Sequence, residues 1–188
     1  MDIHVSQTRL EGVLLVETDV FRDERGFFME AYHRENYVAA GIDATFVQDN
    51  HSRSAKHVLR GIHYQDMTAP MGKLVRCVAG AILDVAVDLR AGSPTFGEWV
   101  AEELTAENFR QLWVPPGFGH AFLALTDGAE VYYKCSGLYA PPSEGTVAWN
   151  DPEIAVDWPV KEPSVSGRDS AGMSLQEYVA NPAFRYDQ

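Results

Sequence analysis

The chain has 188 residues, 46% of them apolar and spread along its whole length, which suits one domain with a sizeable core and argues against disorder or low complexity. Fifteen Lys and Arg stand against 27 Asp and Glu, and the formal net charge of -12 opposes binding to nucleic acid or to anionic membranes. Any anionic ligand must therefore be held by a local basic pocket.

The first twenty residues carry one short apolar run, Val13 to Val16, with acids on both sides, so neither a signal peptide nor a membrane span is expected there and a cytoplasmic location is the default. Strands are expected over 12–18 and 27–32, followed by a short helix over 35–40 that Gly41 ends. Further strands are expected over 45–50, 58–65 and 73–78. Residues 81–90 alternate most clearly: Leu83, Val85, Val87 and Leu89 share one face, and Asp84, Asp88 and Arg90 share the other. Strands over 97–104, 111–114, 120–125 and 131–135 come next, with a weaker one over 146–149. In the last full strand Val131, Tyr133 and Cys135 lie on one face. A second short helix is expected over 174–180, begun by Ser174 as its N-cap and stopped before Pro182.

Ala79-Gly80, Pro115-Pro116-Gly117, Asp127-Gly128 and Asn150-Asp151-Pro152 supply turn chemistry between the strands. Many short strands at this spacing predict an all-β sandwich or barrel, a jelly roll with a few short helices. One domain covers 1–188, with 159–188 as a C-terminal extension packing on it. Cys77 and Cys135 lack a C-x-x-C spacing and read as small buried hydrophobes.

Of six histidines, His63 and His120 stand out, each inside an apolar strand beside glycine. A histidine so placed is either a hydrogen-bonded core residue or a functional one. Pro115-x-Gly117-x-x-His120 is similar to part of the second motif of metal-binding cupins, but the first motif needs H-x-H and a glutamate where this chain has only His63-Tyr64-Gln65. Metal is not expected. Proton abstraction needs a neutral base, a donor facing the developing enolate and an acid on the opposite side. An imidazole with a pKa near 6.5 supplies the first. Lys73, sharing a face with Val75 and Cys77, either offsets enolate charge or is a solvated strand end. Tyr133 is either the proton donor or a core tyrosine tied to backbone. Strand parity sends Arg60 and His63 to opposite faces unless Gly61 makes a bulge.

Taken together, F-R-D-E-R-G-F-F-M-E (Phe21 to Glu30), Q-D-N-H-S-R-S (Gln48 to Ser54), V-L-R-G-I-H-Y-Q (Val58 to Gln65), G-K-L-V-R-C (Gly72 to Cys77), D-V-A-V-D-L-R (Asp84 to Arg90), S-P-T-F-G (Ser93 to Gly97), P-P-G-F-G-H-A-F (Pro115 to Phe122), Y-K-C (Tyr133 to Cys135) and N-D-P (Asn150 to Pro152) resemble the dTDP-4-dehydrorhamnose 3,5-epimerase family. The resemblance implies a jelly-roll homodimer without metal or cofactor, acting on a dTDP-linked 4-keto-6-deoxyhexose. It assigns His63 as base, Asp169 as the carboxylate orienting it, Tyr133 as proton donor and Lys73 as neighbour of the C4 oxygen. It further implies that Arg25, Glu30, Gln48, Asn50, Arg60, His120, Glu144 and Arg168 hold nucleotide and sugar, and that Tyr139 packs on thymine. Related enzymes that invert only C3 or only C5, a ketoisomerase, an inactive sugar-nucleotide binding module and a metal-dependent cupin oxygenase are the competing readings.

Overall fold

Alternating apolar positions become two facing sheets in the computed structural model, which describes residues 1–186. The chain opens with β1 (Ile3–Gln7) and β2 (Leu14–Thr18), then a hairpin of β3 (Val20–Asp23) and β4 (Gly26–Met29), and helix α1 (Arg34–Ala39). The central strands are β5 (Gln48–Ser54), β6 (Leu59–Gln65), β7 (Lys73–Ala79), β8 (Ala81–Asp88), the short β9 (Arg90–Ala91) and β10 (Trp99–Thr105). After them run β11 (Gln111–Val114), β12 (Phe118–Ala124), β13 (Ala129–Cys135), β14 (Glu144–Thr146), α2 (Gly167–Ser170), α3 (Leu175–Ala180) and β15 (Phe184–Arg185).

One sheet has six strands in the order β1-β2-β11-β7-β13-β5, and the other has five in the order β10-β8-β12-β6-β14. Neighbouring strands in both are antiparallel. The order crosses repeatedly between distant parts of the chain, and the result is an all-β, cupin-like jelly roll. Val75, Cys77, Leu112, Val114 and Val131 of one sheet meet Ile82, Ala86, Phe118 and Phe122 of the other in an apolar core. A second core lies on the far side of the five-stranded sheet, where Ile62, Val85, Val87 and Leu89 pack against Leu175, Tyr178 and Phe184 of the C-terminal segment. A third joins Tyr37 and Ile42 to Leu14, Val16, Leu74 and Trp113 on the back of the six-stranded sheet.

Both faces of β8 are therefore covered. The side carrying Asp84 turns inward between the sheets, and the apolar side is roofed by the C-terminal segment. That segment is pinned by polar links as well. The Tyr178 hydroxyl donates to the Leu89 carbonyl (2.8 Å) and accepts from the Phe184 N–H (3.2 Å), while β15 pairs in parallel with β9. Asp88, buried at the end of β8, accepts from Arg90, Ser93 and Thr95. Burial pushes its carboxyl up, but those hydrogen bonds outweigh it and hold it below the usual carboxylate range. The Arg90 guanidinium lies over the Phe118 and Tyr186 rings. The motifs at Asp84–Arg90 and Ser93–Gly97 thus include a clamp that ties the C-terminus to the sandwich. Residues 187 and 188 of the expected extension lie outside the described residues.

Several boundaries differ from expectation. β1 was not anticipated, because an edge strand with the sequence IHVSQ has little apolar alternation. The strand expected over 45–50 lies instead at Gln48–Ser54, a run polar on both faces. The weak strand expected over 146–149 lies earlier, at Glu144–Thr146, and the one expected over 27–32 is the shorter β4. Helix α3 starts after Ser174 with a complete capping box: the Ser174 side chain accepts from the Glu177 N–H, and Glu177 accepts from the Ser174 N–H.

Candidate active site

The catalytic candidates come together because one strand departs from regular parity. In the β6–β12 pairing His63 faces His120 and Arg60 faces Phe122, so three steps along β6 match two along β12. This is a β-bulge at Gly61 and Ile62. Gly61 has a φ of 127°, and a Cβ added there would stand 2.4 Å from Ala121 Cβ and 2.6 Å from the His120 carbonyl oxygen, so neither the conformation nor the space admits a side chain. Its peptide to Ile62 is cis. The bulge brings Arg60 and His63 to one side, where both line a cavity of about 420 Å³ together with Arg168 and Asp169.

His63 is also the wall of a second recess, about 110 Å³, on its other flank. Gln48, Asn50, Lys73, Tyr133, Tyr139 and Glu144 line that recess. Lys73 and Tyr133 reach it because β7 and β13 pair with Cys135 opposite Lys73 and Tyr133 opposite Val75, so their inward positions alternate in step. Asn50 lies opposite Tyr133 on β5. The polar inner face of β5 explains the lack of apolar alternation: its residues line a cleft rather than a core.

Asp169 arrives from 106 residues away, and its Oδ1 is 2.5 Å from His63 Nε2. It sits in the first turn of α2, where its backbone N–H donates to the N-cap Ser166 hydroxyl (3.1 Å). The imidazole is 25% exposed and the carboxylate 4%. With Nε2–H donated to the carboxylate, Nδ1 is the nitrogen left to accept a proton. Burial pushes the imidazole down, the Asp169 hydrogen bond pulls it up, and Lys73 pushes it down again, giving a pKa of about 4. At neutral pH the imidazole is therefore uncharged and able to accept a proton. Burial also lowers Lys73 below the ordinary lysine value, opposed by Cys135, Asp84 and Glu144. Tyr133 is raised, first by burial and then by Cys135, with Asn50 and Arg60 acting against. A raised phenol keeps its proton at neutral pH and can donate it only to a strong base.

At the mouth, Glu144 Oε2 is shared by Arg168 Nη1 (2.7 Å) and the Tyr139 hydroxyl (3.0 Å). Gln48 accepts from the Tyr139 N–H and donates to Asn50 Oδ1, both at 3.0 Å. Arg60 Nε donates to Ser54 Oγ (3.2 Å). The cleft thus gathers the guanidinium groups of Arg60 and Arg168, the latter paired with Glu144, in a protein of net charge -12.

Three expected ligand-holding residues lie elsewhere. Arg25 is at the tip of the β3–β4 hairpin with its side chain 84% exposed and paired to Asp23. Glu30, just beyond β4, accepts from Asn36 Nδ2 at 3.4 Å. Neither lines either recess. His120 is buried behind the cleft wall, its Nε2 2.8 Å from Asp84 Oδ1. Among residues not anticipated, Ser166 caps the turn that carries Asp169. Gln65 ties two loops to the cleft floor, donating to the Ala69 and Leu138 carbonyls and accepting from the Ala140 N–H. A side-chain amide two residues after His63 was the available signal. Among the described residues no group of three or more His, Cys, Asp or Glu side chains is arranged to hold a metal ion.

Residues 7–177 match the family model for dTDP-4-dehydrorhamnose 3,5-epimerase. The enzyme of that name from Pseudomonas aeruginosa is 52% identical over 170 residues, covering 89% of this chain and 93% of its own. Its namesake from Salmonella typhimurium is 49% identical over 175 residues, covering 92% and 96%. The crystal structure of a dTDP-6-deoxy-D-glucose-3,5-epimerase from Legionella pneumophila, in complex with dTDP-4-keto-L-rhamnose, superposes with a TM-score of 0.94 at 43% identity, covering 99% of this chain and all of that one. With the His63–Asp169 pair, Lys73 and Tyr133 gathered in one jelly-roll cleft, these likenesses lead to one conclusion: the chain belongs to the dTDP-4-dehydrorhamnose 3,5-epimerase family.

Proposed function

We propose that the protein converts dTDP-4-dehydro-6-deoxy-D-glucose to dTDP-4-dehydro-L-rhamnose by removing and returning protons at C3 and C5. The observation that carries this reading is the neutral His63, backed by Asp169, in a recess that also holds Lys73 and Tyr133. The C4 ketone acidifies the hydrogens on both neighbouring carbons. His63 takes one of them through Nδ1, and the imidazolium is stabilised by Asp169. Lys73 faces the enolate oxygen, where an ammonium in a partly desolvated site stabilises developing charge more than it stabilises the neutral ketone. Tyr133 delivers a proton to the opposite face, His63 then gives up its proton to water and the Tyr133 phenolate regains one, and the cycle repeats at the second carbon.

In this reading Arg60 and Arg168 hold the diphosphate, Tyr139 packs on thymine, and Gln48, Asn50 and Glu144 fix the sugar and nucleotide. Arg25 and Glu30 belong to a homodimer. Arg25 is at the tip of, and Glu30 just beyond, a hairpin on which Phe21, Phe27 and Phe28 are all exposed, an apolar patch unusual for a free surface, and a second chain covering it receives both residues at its own cleft. The buried free thiols Cys77 and Cys135 suit a cytoplasmic location.

Turnover in heavy water tests the chemistry. Deuterium from solvent is expected at both C3 and C5 of the product. Label at one carbon only makes the protein a monoepimerase, and label at neither removes enolate chemistry altogether.

A further inference from the structure

We propose that Asp84 is a positioning residue of the epimerase site, holding His120 with one carboxylate oxygen and serving as a buried counter-charge to Lys73 across the interior. The inference rests on the reaction assigned above. Asp84 lies in the middle of β8 on the face between the sheets, 0% exposed, with Ile82 and Ala86 of the apolar core two residues away on either side. A carboxylate in such a place is costly unless it is paired. Its Oδ1 accepts from His120 Nε2 at 2.8 Å, but its Oδ2 is buried with no hydrogen-bond partner.

The bond to His120 does not explain the charge, because an asparagine oxygen accepts the same N–H. What calls for an anion is a cation, and Lys73 is a candidate on the facing sheet. It stands on the inward face of β7, across the interior from β8, and Asp84 acts on it electrostatically ahead of Glu144, the other carboxylate involved. The bonded oxygen has its own link to the cleft. His120 is the direct strand partner of His63, and residues paired across an antiparallel ladder have Cβ atoms about 4.5–5.5 Å apart. Asp84 therefore touches the wall behind the base with one oxygen, and its position on the inward face of β8 sets it across the interior from Lys73, beyond direct ion-pair distance.

Asp84→Asn is nearly isosteric and keeps an acceptor for His120, while it removes the charge and puts an amide NH2 where the unpartnered oxygen stood. It is expected to lower kcat by about 10- to 100-fold, the range for partners that orient a reacting group, while KM changes less than about threefold. In a Lys73→Met background the same substitution is expected to cost less than about twofold, since the group it serves is gone. Normal kcat in Asp84→Asn overturns the proposal, as does an equal loss in both backgrounds, which marks a merely structural residue. If Asp84→Asn fails to fold, the Asp84→Asn/Lys73→Met double variant decides by thermal melting: recovery supports charge pairing, and failure overturns it. Wild-type protein that exchanges no solvent deuterium into the keto sugar defeats the assigned reaction instead, and the same melting cycle over residues 73 and 84 then still reads the pairing by itself.

Discussion

Two histidine–aspartate pairs, His63–Asp169 and His120–Asp84, stand on adjacent strands and differ in nearly everything but composition. His63 is a quarter exposed, borders two recesses and takes its carboxylate from a distant helical turn. His120 is buried, borders neither recess and takes its carboxylate from the next strand of its own sheet. A histidine–aspartate pair is therefore not by itself a catalytic device. Access to the cleft leaves one imidazole open to a ligand, as the proposed role of base requires, and enclosure makes the other part of the wall behind it.

The largest expected effect falls on the open pair. His63→Asn should lower turnover by about a thousandfold, within the range for loss of a general base, and Asp169→Asn by about a hundredfold, because the imidazole remains but is left without its anion. Stopped-time assays of deuterium uptake read both. Normal turnover in His63→Asn breaks the distinction between the pairs.

The second test is the pH dependence of folding. His63 titrates near its ordinary value of 6.5 when unfolded and at about 4 in the folded protein, so between these pH values the unfolded chain binds the extra proton. Stability attributable to this group is then complete above pH 6.5 and lost as pH falls towards 4, by on the order of 3 kcal/mol. Denaturant melts at pH 7 and pH 4.5, wild type against His63→Asn, isolate the contribution. A loss of equal size in the variant assigns it to other groups.

A smaller effect separates the two pairs mechanically. Gly61→Ala places a methyl group against Ala121 and the His120 carbonyl, and it is expected to cost about 2 kcal/mol by overpacking and backbone strain. Because the bulge sets where His63 stands relative to its neighbour, kcat should fall further than the stability loss alone explains. Unchanged activity in a folded Gly61→Ala protein means that the bulge does not govern the base.

Much of this site was legible from residue order. The inward placement of Lys73 with Val75 and Cys77, and of Tyr133 with Val131 and Cys135, follows from the two-residue repeat of a strand, and both sets do point into the sandwich. Gly61 was a visible condition for Arg60 and His63 to share a pocket. Asp84 was misjudged by omission. Its alternation with Leu83 and Val85 showed two faces of β8 but not that the polar one is interior. Arg25 and Glu30 matched a motif whose place in one chain is a solvent-exposed hairpin, and no local pattern distinguishes that from a cleft residue.

The sequence by itself determined the strand character of most of the chain, the faces on which its side chains alternate, the start of the last helix at Ser174 and the chemical groups available for proton transfer. These depend on backbone geometry over a few residues. Tertiary structure alone decided which faces are covered, that the bulge forms, that Asp169 meets His63 across 106 residues, and that His120 is enclosed while His63 is open. The reason is physical: parity and capping are local, whereas burial and pairing depend on which distant element packs against each strand.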